Sequence, residues 1–149
     1  MTTQHLLIVQ AIAQRLQDDP ALAAAKIYVN RRRGIPDKVM RAVVVRLGRA
    51  KSQETSQLGG RTSWQTLIEI ECYGRDGADD VTGAIADQVL EAVFANLDAG
   101  PGLGYGVMDI EPLAGDTLAW DFEELDNSMA CVSARFVVKH QTNGRTLTL

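Results

Sequence analysis

The sequence predicts an α+β domain, a mostly antiparallel sheet with two helices packed on one face, in the order α-β-β-β-α-β-β-β. Three observations carry this. Ser63–Tyr73 (SWQTLIEIECY) alternates apolar and polar side chains with a period of two, the mark of a strand with one buried and one wet face. Two longer segments repeat apolar residues at spacings of three and four, as helices lying on a core do. The last third reads as three further strands, two of them plainly alternating. A half-wet strand belongs to a largely antiparallel sheet, because doubly wound parallel sheets are covered on both faces. Helices gathered on one face then complete a two-layer domain.

The first helix is expected over Thr3–Gln17. Leu6, Val9, Ala13 and Leu16 form its stripe, Ile8 and Ile12 widen it, and Thr2 or Thr3 caps its start. Asp18-Asp19-Pro20 ends it, since the residue before a proline is pushed out of helical geometry. A short strand at Lys26–Asn30 leads into a basic loop, Arg31-Arg32-Arg33-Gly34-Ile35-Pro36. Val39–Leu47 is rich in β-branched residues and reads as the second strand. Residues Arg49–Thr62 are polar and without periodicity, so a flexible loop is expected there; such long loops are usually functional or disordered. After the Trp64 strand, Gly74-Arg75-Asp76-Gly77 opens a second helix. Asp76 is placed to cap it, and Asp79 and Asp80 sit in its first turn, where negative charge suits the helix dipole. Val81, Ile85, Val89, Ala92 and Phe94 to Leu97 supply its apolar stripe, and Gly100-Pro101-Gly102 stops it. The closing strands are expected at Val107–Leu113, Thr117–Asp126 and Met129–Gln141. Leu118, Trp120 and Phe122 alternate in the second of these, and Val132, Ala134, Phe136 and Val138 in the third.

The chain's 149 residues suit one domain able to bury roughly two-thirds of its unfolded surface. The longest aliphatic stretch, Leu6–Val9, is far short of the ~20 residues that cross a bilayer. No positive charge precedes it, and Arg15 interrupts the segment behind it, so neither a signal peptide nor a membrane partner is expected. Cys72 and Cys131 fall in separate strands. Sequence alone leaves a disulfide between them open, but the favoured reading is two reduced thiols in or near the core.

The net charge of −4 hides a split. Residues 1–75 carry 12 Lys+Arg against 6 Asp+Glu, a net of +6, whereas residues 76–149 carry 3 against 13, a net of −10. Such asymmetry points to an interaction surface, a basic side meeting the acidic side of a neighbour. Candidate contact residues are Arg31, Arg32, Arg33, Arg49, Lys51 and Arg61 in the two segments expected as loops. The acidic Asp116, Asp121, Glu123, Glu124 and Asp126 lie on and beside one hairpin. The basic loops have no interleaved aromatics and the chain is acidic overall, which disfavours sequence-specific nucleic-acid recognition.

Catalytic, metal and cofactor sites find no signature. His5 and His140 have no Cys, His or carboxylate at ligand spacing and are expected to face solvent. The run Gly100–Gly106 (GPGLGYG) follows a helix and opens a strand, the reverse of a phosphate-cradling loop. The acidic set lacks the alternating ligands and central glycine of a calcium loop.

With the element order in place, the chain resembles the phage tail terminator family, which includes the minor tail protein U of lambda-like phages. The resemblance rests on the N-terminal helix, the loop before the Trp64 strand, the run WQTLIEIECYGRDGADD leading into the second helix, and the closing hairpin WDFEELDNSMACVSARFVVKHQT. Related connector and tail-completion proteins have similar folds. The resemblance implies a structural, non-enzymatic subunit of the virion tail, assembled in the bacterial host cytoplasm. It closes as a homo-hexameric ring on the head-proximal end of the tail tube. There it stops polymerisation of the tube protein and offers the surface to which a head-completion or connector protein attaches, with DNA passing through the lumen. In that setting residues 49–62 suit an arm that orders on assembly. Two other classes stay open: an enzyme on a ferredoxin-like sheet, and a small monomeric nucleic-acid-binding module.

Overall fold

The computed structural model describes residues 2–31, 34–53, 59–76, 81, 83–99, 102–122 and 129–149. Helix α1 (Gln4–Gln17) starts at Thr3, whose hydroxyl accepts the Leu6 N–H at 3.3 Å, and ends at Asp18. A 3-10 turn (Pro20–Leu22) leads to strand β1 (Lys26–Val29). Then come β2 (Arg41–Ser52), β3 (Thr62–Arg75), α2 (Ala84–Asp98), β4 (Val107–Pro112), β5 (Leu118–Asp121) and β6 (Met129–Thr142). The order is α-β-β-β-α-β-β-β.

The six strands form one sheet in the spatial order β1-β2-β3-β6-β4, with β5 also on β6. β1 joins β2 in parallel, and the remaining pairings are antiparallel. Both helices cover one face. Ile8, Val9, Ile12 and Leu16 of α1 and Val89, Val93 and Leu97 of α2 close over Val43, Val45, Ile68, Ile70, Cys72, Val132, Ala134, Phe136 and Val138. The register explains this set: Val43 faces Cys72, Val45 faces Ile70, and those in turn face Val132 and Ala134, so one parity of three adjacent strands meets the helices. Arg15 Nη2 donates to the Asn96 carbonyl at 2.6 Å in the last turn of α2, and Asn96 Nδ2 donates to Asp19 at 2.9 Å. A cation on the last carbonyls of a helix is favourable, so the two helices are tied at this end.

Gly74 sets how closely α2 lies on β3. A Cβ there would stand 2.7 Å from Ile85 Cγ2 and nearer still to the Ala86 nitrogen, so only glycine admits the start of the helix.

Four expectations change. The polar stretch Arg49–Thr62 is not one loop: β2 continues to Ser52 and β3 begins at Thr62, so Arg49 and Lys51 are strand residues, while 54–58 lie outside the described residues. Alternation failed to reveal this extension because strand pairing continues beyond the apolar part of β2. α2 starts at Ala84, not Asp76, and Val81 is 79% exposed instead of joining its stripe. Asp76 still caps the helix, from a distance: its carboxylate accepts the N–H groups of Gly83 at 2.6 Å and Ile85 at 3.1 Å. The expected first-turn Asp79 and Asp80 lie outside the described residues. Glu71, expected on a wet face, is buried, because Arg46 Nε lies 2.8 Å from it and the Tyr73 hydroxyl donates to it. No helix among the described residues is long and apolar enough to cross a membrane.

The cysteines are on neighbouring strands but on opposite faces, since Cys72 faces Val132 while Cys131 faces Tyr73. Both are free and buried. Burial pushes both thiols up, Cys131 to about 11 with help from the nearby Glu71 charge.

Candidate subunit interface

Arg49 and Lys51 are brought to one face by an irregularity in β2. Leu47 pairs with Ile68 but Ala50 pairs with Thr66, so β2 spends one residue more than β3 between these pairs. That is a β-bulge, and it inverts the parity of the strand beyond it. Arg49 would otherwise continue the helix-side series of Val43, Val45 and Leu47. Instead Arg49 and Lys51 both rise from the open, helix-free face beside Gln65 and Leu67. Gly48 permits the bulge: a Cβ there would lie 3.1 Å from the Leu67 carbonyl oxygen.

Here the open face holds a pocket of about 230 Å³. Its floor is Leu67, Val137 and Leu113, and its rim is Arg49, Lys51 and Gln65. Arg61, exposed, directly precedes β3 at the same end of the sheet. Arg31 belongs to this end too. It comes after Asn30, whose N–H reaches the Val45 carbonyl at 2.8 Å and whose side chain accepts the Leu47 N–H at 3.0 Å. Its guanidinium lies 4.4 Å over the Tyr28 ring and donates to the Gly34 carbonyl at 3.1 Å. Arg32 and Arg33 lie outside the described residues.

Of the acidic residues, Asp116 and Asp121 fall on the far edge. β4 and β5 run one after the other along the same side of β6, so they act as a single interrupted edge strand. Both ends of the interruption hold one residue: the Leu113 N–H donates to the Arg135 carbonyl and the Arg135 N–H to the Thr117 carbonyl, each at 2.9 Å. Asp116 lies inside this excursion and forms an ion pair with the Arg135 guanidinium. Asp121 ends β5 opposite Cys131. Glu123, Glu124 and Asp126 lie outside the described residues.

Sequence reasoning missed the apolar character of this edge. Leu118 packs on the core, but Trp120 is 54% and Phe122 52% exposed. The Phe122 ring lies against Gly83, near the exposed Val81. By register Trp120 shares the helix-side face with buried Val132, yet it stands on the outermost strand. The alternation was visible in the sequence, whereas the edge position that leaves Trp120 half in solvent was not.

The histidines also differ from expectation. His140 is fully buried, not solvent-facing, because β6 is flanked there by β3 and β4 while α1 lies over it. Its Nε2 is 2.7 Å from the Thr66 hydroxyl. The His5 ring stands edge-on to both His140 and Trp64, at 4.8 and 4.9 Å between centroids. Burial lowers the pKa of both, and that of His140 falls to about 4 with a smaller contribution from His5. They are neutral packing groups at neutral pH. Among the described residues no three His, Cys, Asp or Glu side chains converge on a possible metal position. A concavity of about 990 Å³ between α1 and α2 is lined by Leu7, Ala11, Ala92, Ala95, Leu103 and Tyr105, together with polar groups that include Gln10, Gln14 and Asn96.

Two helices on one face of a mostly antiparallel sheet make this an α+β fold. No protein-family model matches the chain, and no curated protein sequence matches it. Among solved structures, a chain from the virion of the native gene transfer agent (GTA) particle is similar, with TM-score 0.56 and 19% identity over 89% of this chain and 93% of that one. A second similarity is to the sheath/tube terminator of an extracellular contractile injection system, PVC, in its extended state. It has TM-score 0.44 and 14% identity over 97% of this chain and 59% of that one, too weak to carry an argument. The first likeness is one of fold.

Proposed function

We propose that the chain is a structural tail-completion subunit of a phage-like particle, and within that class a tail terminator. On this reading copies close into a ring, a hexamer, on the head-proximal end of the tail tube. The ring stops tube polymerisation and offers the surface on which a head-completion or connector protein docks, and DNA passes through its lumen without sequence-specific contact. The observation that carries it is the near end-to-end sharing of fold with a chain of a phage-like virion, the GTA particle. The surface is consistent with it. A ring needs heterologous contacts, one patch against a different patch. On this reading the basic end of β2 (Arg49 and Lys51, with Arg61 and Arg31) and the acidic β5 edge (Asp116 and Asp121) supply two such patches.

Native mass spectrometry over a concentration series, then addition of the chain to polymerising tail tube protein, tests the proposal. A ring-sized oligomer and tubes of arrested length are expected. A chain monomeric under all conditions that binds DNA in a salt-sensitive way would instead identify a nucleic-acid module. A related connector or other tail-completion role is the second reading. It is favoured by the breadth of the fold likeness, which is to a chain of a whole virion and not to one of stated position within it. Electron microscopy of labelled chain on isolated tails and heads separates the two.

A further inference from the structure

The open-face pocket and the β5 edge fit one another chemically and are barred from meeting within one chain. Leu67, Val137 and Leu113 form an apolar floor under two cations, Arg49 and Lys51. At about 230 Å³ the pocket is smaller than the roughly 300–1,000 Å³ of small-molecule sites. It has the scale of one inserted side chain. The β5 edge offers two large side chains more than half exposed, Trp120 and Phe122, with Asp121 between them. An edge strand with two half-exposed aromatics and, on its other face, the Asp121 carboxylate suits a basic-rimmed apolar pocket. Buried aromatic anchors concentrate binding energy, cations lie well on aromatic faces, and Gln65 at the rim provides an amide oxygen for an indole N–H. Trp120 cannot reach its own pocket, because by register it is on the helix side of the sheet and the pocket is on the other.

We infer that the Trp120–Phe122 edge of one copy inserts into the pocket formed by Arg49, Lys51, Leu67 and Val137 of the next. The contact is heterologous, so it propagates from copy to copy and closes as a ring when the rotation allows. This rests on the ring reading above and assigns its interface. The bulge at Gly48 acquires a purpose, since it turns both cations to the pocket side.

The test uses two full-length variants altered only at exposed positions, Trp120→Ala and the double Arg49→Glu/Lys51→Glu. Circular dichroism verifies that each is folded. Each variant alone is expected to need at least tenfold more protein than the wild type for half-assembly. A heterologous contact makes a sharper demand. Trp120→Ala keeps an intact pocket and the double variant keeps an intact edge, so a 1:1 mixture forms one sound contact per pair. It must yield a heterodimer that grows no further, visible by native mass spectrometry. Variants that assemble within twofold of the wild type, or a mixture that stays monomeric, overturn the inference and leave the ring reading standing. A wild-type chain monomeric both free and on tail tubes overturns the two together.

Discussion

His5 and His140 meet edge to face, their ring centroids 4.8 Å apart and their planes at 83°, beneath the first turn of α1. Neither His5 Nε2 nor His140 Nδ1 has a hydrogen-bond partner, so adding a proton to this pair is opposed by burial and, for His140, by a charge on His5. The unfolded chain, with histidines near their ordinary value, takes up those protons first. Stability from the pair is therefore fully present above about pH 6.5 and drains away as pH falls towards 4, where His140 itself titrates. The fall of His140 from 6.5 to about 4 corresponds to roughly 3 kcal/mol. Urea midpoints at pH 7.5 and 4.5 check this. His140→Phe should flatten the loss between them, and an unchanged slope in that variant would refute the assignment.

Asp76 reaches forward to the start of α2, so its removal should weaken the helix despite its distance in sequence. Asp76→Ala is expected to cost about 0.5–2 kcal/mol, the usual range for a lost N-cap. Asp76→Asn, which keeps a carbonyl acceptor, should recover most of it. Chemical denaturation measures both. If alanine and asparagine prove equally harmful, the acceptor role is wrong.

These two cases show what the sequence made legible and what it did not. The element order is legible in period-two alternation and in helical spacings of three and four, and the core faces of β3 and β6 in the alternation. Residue type narrows the first cap to Thr2 or Thr3, of which Thr3 takes the role. Residue type marks Asp76 as a cap, but α2 begins only at Ala84, and no local signal in the sequence shows that separation between a cap and its helix. His140 departs from expectation because its polarity argues for solvent while its place, between two strands and under a helix, puts it in the core. The bulge at Gly48 was invisible for a related reason. Parity after Leu47 depends on how β3 pairs, and that is a property of two strands and not of one. Of the interface residues, the charges were legible from composition, whereas the pocket beneath Arg49 and Lys51 required the tertiary fold.

Both thiols should resist modification in the folded chain. Cys131, held up near 11, carries far less thiolate at pH 8 than an ordinary cysteine near 8.5, a deficit on the order of 100-fold. Labelling by a thiol-disulfide reagent at pH 8 should therefore slow by at least that factor, and both thiols should label promptly in denaturant. Because the two face opposite sides of β3 and β6, mild oxidation should not join them within one chain. A Cys72–Cys131 crosslink found by mass spectrometry in folded protein would contradict the register.

The proposed contact has a charged component and an apolar one, and kinetics tells them apart. Opposite charges act at a distance and are screened over about 8 Å at physiological ionic strength, so they govern how fast copies meet. An inserted aromatic acts only after contact and governs how slowly they part. Arg49→Glu/Lys51→Glu should therefore slow association and flatten or reverse its dependence on salt. Trp120→Ala should leave the association rate and its salt slope near those of the wild type while raising the dissociation rate at least tenfold. Stopped-flow light scattering at 50 and 500 mM salt measures all four rates. If the charge variants changed only dissociation, the acidic edge and the basic rim would not be steering partners, and the +6 and −10 halves of the chain would owe their asymmetry to something other than assembly.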